Sequence, residues 1–324
     1  MRAFERSRGS GGRPHDDRHV TGVDIAWRRV TPLVRVSRWR CHERAHGLTA
    51  ERQQFWRVIA FVHEGAYETR GPRGRGLVDP LHVGLFHPGE PYRTSHPCGL
   101  GDHGSALVLR EDLFDDILRA RLPGAAERPE RLDAVAPCPT SALRRHRALL
   151  RAIDSDERIE ESGVEEMVIA IADEILAALA DRGRRAPQGG GRAAPEGAAA
   201  HRELAEAAQA VLGAGFRRQV RLASMAAHLG VSPAHLCRVF RKATGRSIHD
   251  YLTRLRLRAA LEPLASGERD LSALAFDLGF SSHSHFTSAF RREFGLHPSA
   301  WRGRPAGRRD RAHGGPGSPD RARF

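Results

Sequence analysis

Apolar residues recur along this chain with two different periods. Across 25–109 they come in short runs. Val34, Val36, Trp39 and Cys41 form an alternating segment, and 55–62 (Phe-Trp-Arg-Val-Ile-Ala-Phe-Val) is a denser one. Segments 81–87 and 105–109 follow, separated by Gly71-Pro72, Asp79-Pro80, Pro88-Gly89 and the glycines of 99–104. Runs of this length bounded by turn residues predict strands, and many short strands with tight turns predict a small barrel or jelly roll. From 141 the period lengthens to three or four. Leu143, Leu150 and Ile153 predict a helix over 141–155, and Val164, Met167, Val168, Ile171, Ile175 and Leu179 another over 162–181. Glu161, Glu165 and Glu166 at its start and Arg182, Arg184 and Arg185 at its end suit the helix dipole. The stripe of this second helix either packs only on the strands or also faces a second copy of the chain.

The last third carries one pattern twice. The first copy reads Leu222-Ala-Ser-Met-Ala-Ala-His-Leu-Gly230-Val-Ser-Pro-Ala-His-Leu-Cys-Arg-Val-Phe240. The second reads Leu271-Ser-Ala-Leu-Ala-Phe-Asp-Leu-Gly279-Phe-Ser-Ser-His-Ser-His-Phe-Thr-Ser-Ala-Phe290. Each gives a short apolar helix, a glycine turn, a capping serine and a second helix ending in Phe, which is a helix-turn-helix. In the first copy Leu236, Val239 and Phe240 fall on the core side, leaving Ala234, Cys237, Arg238, Arg241 and Lys242 outside. In the second, Phe286, Ala289, Phe290 and Phe294 fall inward, leaving His283, Ser284, Thr287, Ser288 and Arg291 outside. Such a helix in a major groove reads bases with its first turns and meets phosphates further along, so Arg238 is the candidate base reader and Arg241 and Lys242 the candidate phosphate partners. The second helix lacks an Arg-guanine signal and is expected to contribute grip and shape reading.

A lead helix is expected over 201–212 and a connecting helix over 248–265. Eighteen residues at about 1.5 Å each make a rod of about 27 Å, close to one turn of B-DNA, about 34 Å. Pro263 lacks an N–H and crowds the carbonyl of Ala259, so the rod should end or kink there. The spacing predicts double-stranded DNA as the partner, bound through two successive major grooves.

Charge supports this unevenly. The chain of 324 residues has a formal net charge of +13, its cations are arginines apart from Lys242, and residues 201–301 carry 14 basic against 8 acidic side chains. The excess lies where the repeated motif lies. No run is apolar enough for a membrane span. Cys41, Cys98, Cys138 and Cys237 form no CxxC pair, as expected for reduced thiols in a cytoplasmic protein. Composition divides the chain into a disordered lead (1–22), a strand-then-helix sensing and dimerisation domain (23–182), a Gly/Pro/Ala linker (183–199), a DNA-binding domain (200–302) and a basic tail (303–324).

Leu236-x-Arg238-x-Phe240-x-Lys242-x-x-Gly245, Tyr251-Leu252-x-x-Leu255-Arg256, Ala275-x-Asp277-x-Gly279-Phe280 and Phe286-x-x-x-Phe290-x-x-x-Phe294-Gly295-x-x-Pro298-x-x-Trp301-Arg302 together resemble the AraC/XylS family of bacterial transcription regulators. Two positions depart from the family pattern. Ser288 stands where some relatives carry a DNA-contacting Arg, and Trp301 where Tyr is common. The resemblance implies an α+β chain in which an N-terminal cupin-like β-barrel with helices precedes an all-α tandem helix-turn-helix domain. It implies a non-enzymatic regulator, controlled by a small-molecule effector in the barrel. A homodimer is expected, with RNA polymerase a further candidate partner. Pro88-Gly89-Glu90-Pro91 resembles a turn of such barrels, with Tyr92 where a metal-ligating His often follows.

The alternative is a cupin-type metalloenzyme or a metal or redox sensor fused to the same module. Cys41, Cys98, His42, His46, His63, His82, His87, His96 and His103 crowd into 41–103, and imidazole and thiolate are good soft-metal ligands. No pair has a decisive spacing, so scattered structural histidines are the simpler account. No metal site and no cofactor are expected. Trp39, Phe55 and Trp56 are candidate walls of an organic-ligand cavity.

Overall fold

The computed structural model describes residues 22–43, 47–97, 101–127, 132–155, 159–185 and 197–301. The expected lead, the basic tail, most of the expected linker, His46 and Cys98 lie outside the described residues. Among the described residues, ten strands lie in the first half: β1 (Val23–Val30), β2 (Val34–Cys41), β3 (Arg52–Gln53), β4 (Arg57–Glu64), β5 (Tyr67–Gly71), β6 (Gly74–Val78), β7 (His82–Phe86), β8 (Pro91–Ser95), β9 (His103–Leu109) and β10 (Val135–Pro137). They form a six-stranded sheet, β1-β2-β9-β4-β7-β10, and a four-stranded sheet, β3-β8-β5-β6.

The expectation of a closed barrel is therefore corrected: the two sheets stay open. One outer strand of each sheet is too short to carry a closing ladder. β3 has two residues, and β10 has three and ends in Pro137, which has no N–H to donate. Alternation had revealed strands, but closure depends on edge groups that these short strands do not supply. The buried strand β4 packs tightly against β9; a Cβ on Gly104 would lie 1.9 Å from the Phe61 carbonyl oxygen.

Helices α1 (Glu111–Arg121), α2 (Pro123–Ala126), α3 (Thr140–Asp154) and α4 (Glu161–Arg185) cover the strands. The stripe on α4 is spent inside the chain: Val164, Val168, Ile171 and Ile175 are fully buried against α1 and α3. Trp39 and Trp56 are half-buried, whereas Phe55 is 60% exposed.

The second half is helical: α5 (Ala198–Gly215), α6 (Leu222–His228), α7 (Pro233–Thr244), α8 (Ile248–Ala259), α9 (Leu261–Ala265), α10 (Leu271–Asp277), α11 (His283–Phe294) and α12 (Pro298–Trp301). The single rod expected over 248–265 is two helices with a break at Ala260. Pro263 sits in the first turn of α9, where its missing N–H costs least, and the break falls beside the carbonyl of Ala259 that its ring would crowd. The uninterrupted part, α8, has 12 residues, or about 18 Å at about 1.5 Å per residue.

The two halves share one continuous apolar cluster running from Val34 to Trp301. At its centre is a polar contact. Asp79, fully buried after β6, accepts the Leu81 N–H at 2.9 Å and faces His82 Nδ1 at 2.8 Å on Oδ1, while its Oδ2 accepts the Tyr251 hydroxyl of α8. Gln209 of α5 donates to that hydroxyl oxygen at 2.7 Å. Burial disfavours the Asp79 charge, but His82 and these hydrogen bonds outweigh it and hold the carboxyl below its usual range. Arg258, also of α8, donates to the carbonyls of Pro80 at 2.6 Å and Cys138 at 2.7 Å.

Asp79→Asn keeps the shape but removes the charge. It should destabilise the chain by about 3 kcal/mol, the scale for breaking a buried, hydrogen-bonded charge network. Urea unfolding checks this; a loss below about 1 kcal/mol would show that the contact adds little.

Candidate nucleic-acid interface

The two helix-turn-helix motifs are built alike down to their caps. Ser232 Oγ accepts the His235 N–H at 3.2 Å at the start of α7, and Ser282 Oγ accepts the His285 N–H at 3.1 Å at the start of α11. Both helices stop at glycines in the left-handed region, Gly245 and Gly295. Gly230 and Gly279 make the tight turns at φ +68° and +80°, a conformation that disfavours any Cβ. Beneath them, Leu236, Val239 and Phe240 and then Phe286, Ala289, Phe290 and Phe294 are buried. Trp301 closes the second core against Phe290 and Phe294.

On the outer face of α7, Ala234, Cys237, Arg238, Arg241 and Lys242 are all exposed. On α11, His283, Ser284, Ser288 and Arg291 are exposed and Thr287 is half-buried. The structure thus brings all ten onto two outward helix faces. Among the described residues, Arg238, Arg241, Lys242, Arg291 and Arg292 form no ion pair with a carboxylate. These are cations whose charge is left for an external anion to neutralise. Three neighbours went unnoticed in the sequence. His235 Nδ1 lies 3.0 Å from Arg238 Nη2 and steadies that side chain; His285 Nδ1 is 3.4 Å from Ser281 Oγ. Arg292 is a further exposed cation. The shared Ser-x-x-His spacing of both motifs was the available sign for the two histidines.

One side chain locks the motifs together. Arg256 of α8 donates to the carbonyls of Phe216 at 2.8 Å, Gly279 at 2.7 Å and Arg218 at 3.0 Å. The end of α5, the connecting helix and the turn of the second motif are held by a single guanidinium.

Residues 225–304 match the family model described as a helix-turn-helix domain. The chain is 39% identical over 75 residues to regulatory protein SoxS of Escherichia coli (strain K12), covering 70% of that protein and 23% of this chain. The chain belongs to the AraC/XylS family. It is also 40% identical over 81 residues to the HTH-type transcriptional regulator GlxA of Rhizobium meliloti, 25% of each chain. This chain thus spans about a quarter of that relative's length. A crystal structure of a transcriptional regulator with an AraC-type DNA-binding domain, from Chromobacterium violaceum, is similar at 27% identity over 32% of this chain and 93% of that one, with a TM-score of 0.30. As an AraC-type regulator this chain binds DNA through its helix-turn-helix domain. No helix among the described residues is long and apolar enough to cross a membrane.

Behind the AraC-type motifs, an open cleft of about 310 Å³ lies between the halves. Glu262 of α9 projects into it, with Oε2 3.8 Å from both His63 Nδ1 and His103 Nε2 and 3.7 Å from Arg147 Nη1. His103, then Arg147 and Arg38, hold the Glu262 carboxyl at about 2, against partial burial. Burial, aided by Arg147, keeps His63 well below its usual value and therefore neutral.

A carboxyl depressed from 4.5 to about 2 contributes stability that is complete above about pH 4.5 and is lost as pH falls toward 2. Glu262→Gln should flatten the pH dependence of the urea midpoint across that window. At neutral pH it should cost about 1–2 kcal/mol, less than for a fully buried pair because the carboxylate is partly solvated. An unchanged acid slope would assign the interdomain stability elsewhere.

Proposed function

We propose that this regulator reads two successive major grooves of double-stranded DNA with α7 and α11, under the control of a small-molecule effector held by its N-terminal half. The observation that carries the reading is the pair of capped helices whose outward cations have no carboxylate counter-ion among the described residues. In this reading 23–182 senses and dimerises, 183–199 links, and 200–302 binds DNA. Arg238, steadied by His235, reads a guanine edge; Arg241 and Lys242 hold phosphates. On α11, His283, Ser284, Thr287, Ser288 and Arg291 grip the backbone and read shape, because no arginine occupies its first turns.

The cleft around Glu262 supports the effector part. Its walls come from both halves, so a molecule seated there touches the strands and the connecting helices together. Such a molecule shifts the arrangement only insofar as it prefers one arrangement over another. The protein acts in the cytoplasm as a homodimer, with RNA polymerase a further partner, and has no enzymatic activity of its own.

Arg238→Ala should lose about 1–3 kcal/mol on the specific site and little on random DNA. Equal losses on both would reassign Arg238 to phosphate binding. Affinity should fall steeply with salt, as counterion release requires; a flat profile would contradict the role given to the unpaired cations. A small-molecule library tested on the full chain should yield compounds that raise its melting temperature and change operator affinity together. Compounds that raise melting alone would remove effector control from the reading.

A further inference from the structure

Three side chains unconnected with the DNA-binding surface converge at one end of the six-stranded sheet. Cys41 is the last residue of β2, His96 follows β8, and Asp102 precedes β9. Their donor atoms all lie within 4.8 Å of one another. The three residues are only 6%, 2% and 3% exposed. His96 Nε2 is 3.0 Å from Asp102 Oδ2, while Asp102 Oδ1 and His96 Nδ1 have no hydrogen-bond partner among the described residues. A buried carboxylate with one oxygen left without a partner carries a desolvation cost unless something else satisfies it.

We propose that Cys41, His96 and Asp102 hold one thiolate-binding divalent transition-metal ion of the zinc type. Sulfur, nitrogen and oxygen donors at this spacing suit a tetrahedral ion with three protein ligands, leaving a fourth position for water. A dication between a thiolate and a carboxylate is charge-neutral, as a buried site requires. The frame is tight: the Cys41 N–H donates to the Asp102 carbonyl at 2.8 Å, and a Cβ on Gly101 would lie 2.2 Å from the Cys41 carbonyl oxygen. An open cleft of about 250 Å³ lined by Cys41, Asp102, Arg40 and His42 gives an ion a way in. The set His63, His103 and Glu262 also has donors within reach. It is the poorer cation site, because Arg147 and Arg38 already engage its only carboxylate. The proposal does not rest on the DNA-binding reading, and its test needs no DNA.

Full-length protein, reduced and stripped with chelator, is titrated with Co²⁺ and then with Zn²⁺. The expected result is one ion per chain by elemental analysis, a near-ultraviolet thiolate-to-cobalt band, and its loss on adding Zn²⁺. Cys41→Ser should abolish the band, while Cys237→Ser, which removes the exposed thiol of α7, should leave it. His96→Gln and Asp102→Asn should each weaken Zn²⁺ binding by about 10–100-fold or more, the scale for losing even an outer-shell partner. Less than one ion bound per wild-type chain, or a band that survives Cys41→Ser, overturns the proposal. If Cys41→Ser does not fold, zinc-edge absorption on the wild type decides: one sulfur neighbour supports the site and none overturns it.

Discussion

The arrangement of this molecule depends on one buried carboxylate. Asp79 sits in a turn of the strand half, and its charge is tolerated there because His82, the Leu81 amide and the Tyr251 hydroxyl surround it. Tyr251 belongs to the helix that connects the two motifs, so the strand half grips the DNA-binding module by its central rod. Arg258 reinforces the grip about two turns further along. Arg256, also on α8, reaches the other way and fixes the second motif. A single 12-residue helix therefore sets both how the two reading helices relate to each other and how they sit on the rest of the chain.

The motifs share a fold but divide the chemistry. Their caps, turns and aromatic or aliphatic cores correspond almost position by position. Their outer faces do not: α7 offers Arg238, Arg241 and Lys242, whereas α11 opens with His283, Ser284 and His285 and carries its arginines only in the last turn. The strand half contributes elsewhere too. Thr140 donates to Glu293 at 2.9 Å and Arg151 to the Trp301 carbonyl at 3.0 Å, so the second motif is held from behind by α3.

What could be read from the chain was what short-range chemistry decides. The doubled motif was legible because glycine, capping serine and apolar spacing each act within a few residues. The helix α4 was legible from its stripe, which is buried against α1 and α3. Helix α1 was missed because Phe114, Ile117 and Leu118 make too short a pattern beside the strands. The break at Ala260 was placed three residues late, at the proline itself, although the crowded carbonyl lies one turn earlier. Asp79-Pro80 read as a turn and Tyr251 as part of a family motif. Their contact joins residues 172 positions apart, and no local pattern encodes it. Likewise the crowding of histidines and cysteines was visible, but the convergence of Cys41, His96 and Asp102 follows from strand ends meeting in space.

The docking of the two halves has a quantitative consequence, because both belong to one polypeptide. A tether converts their association into an intramolecular equilibrium against an effective concentration of order 1 mM. A contact worth about 4 kcal/mol would then be half open. Every further 1.4 kcal/mol supplied by Asp79, Arg258 or Glu262 closes it tenfold more completely. The polar groups at this junction thus act as a tuning scale for how completely the reading helices stay anchored to their support.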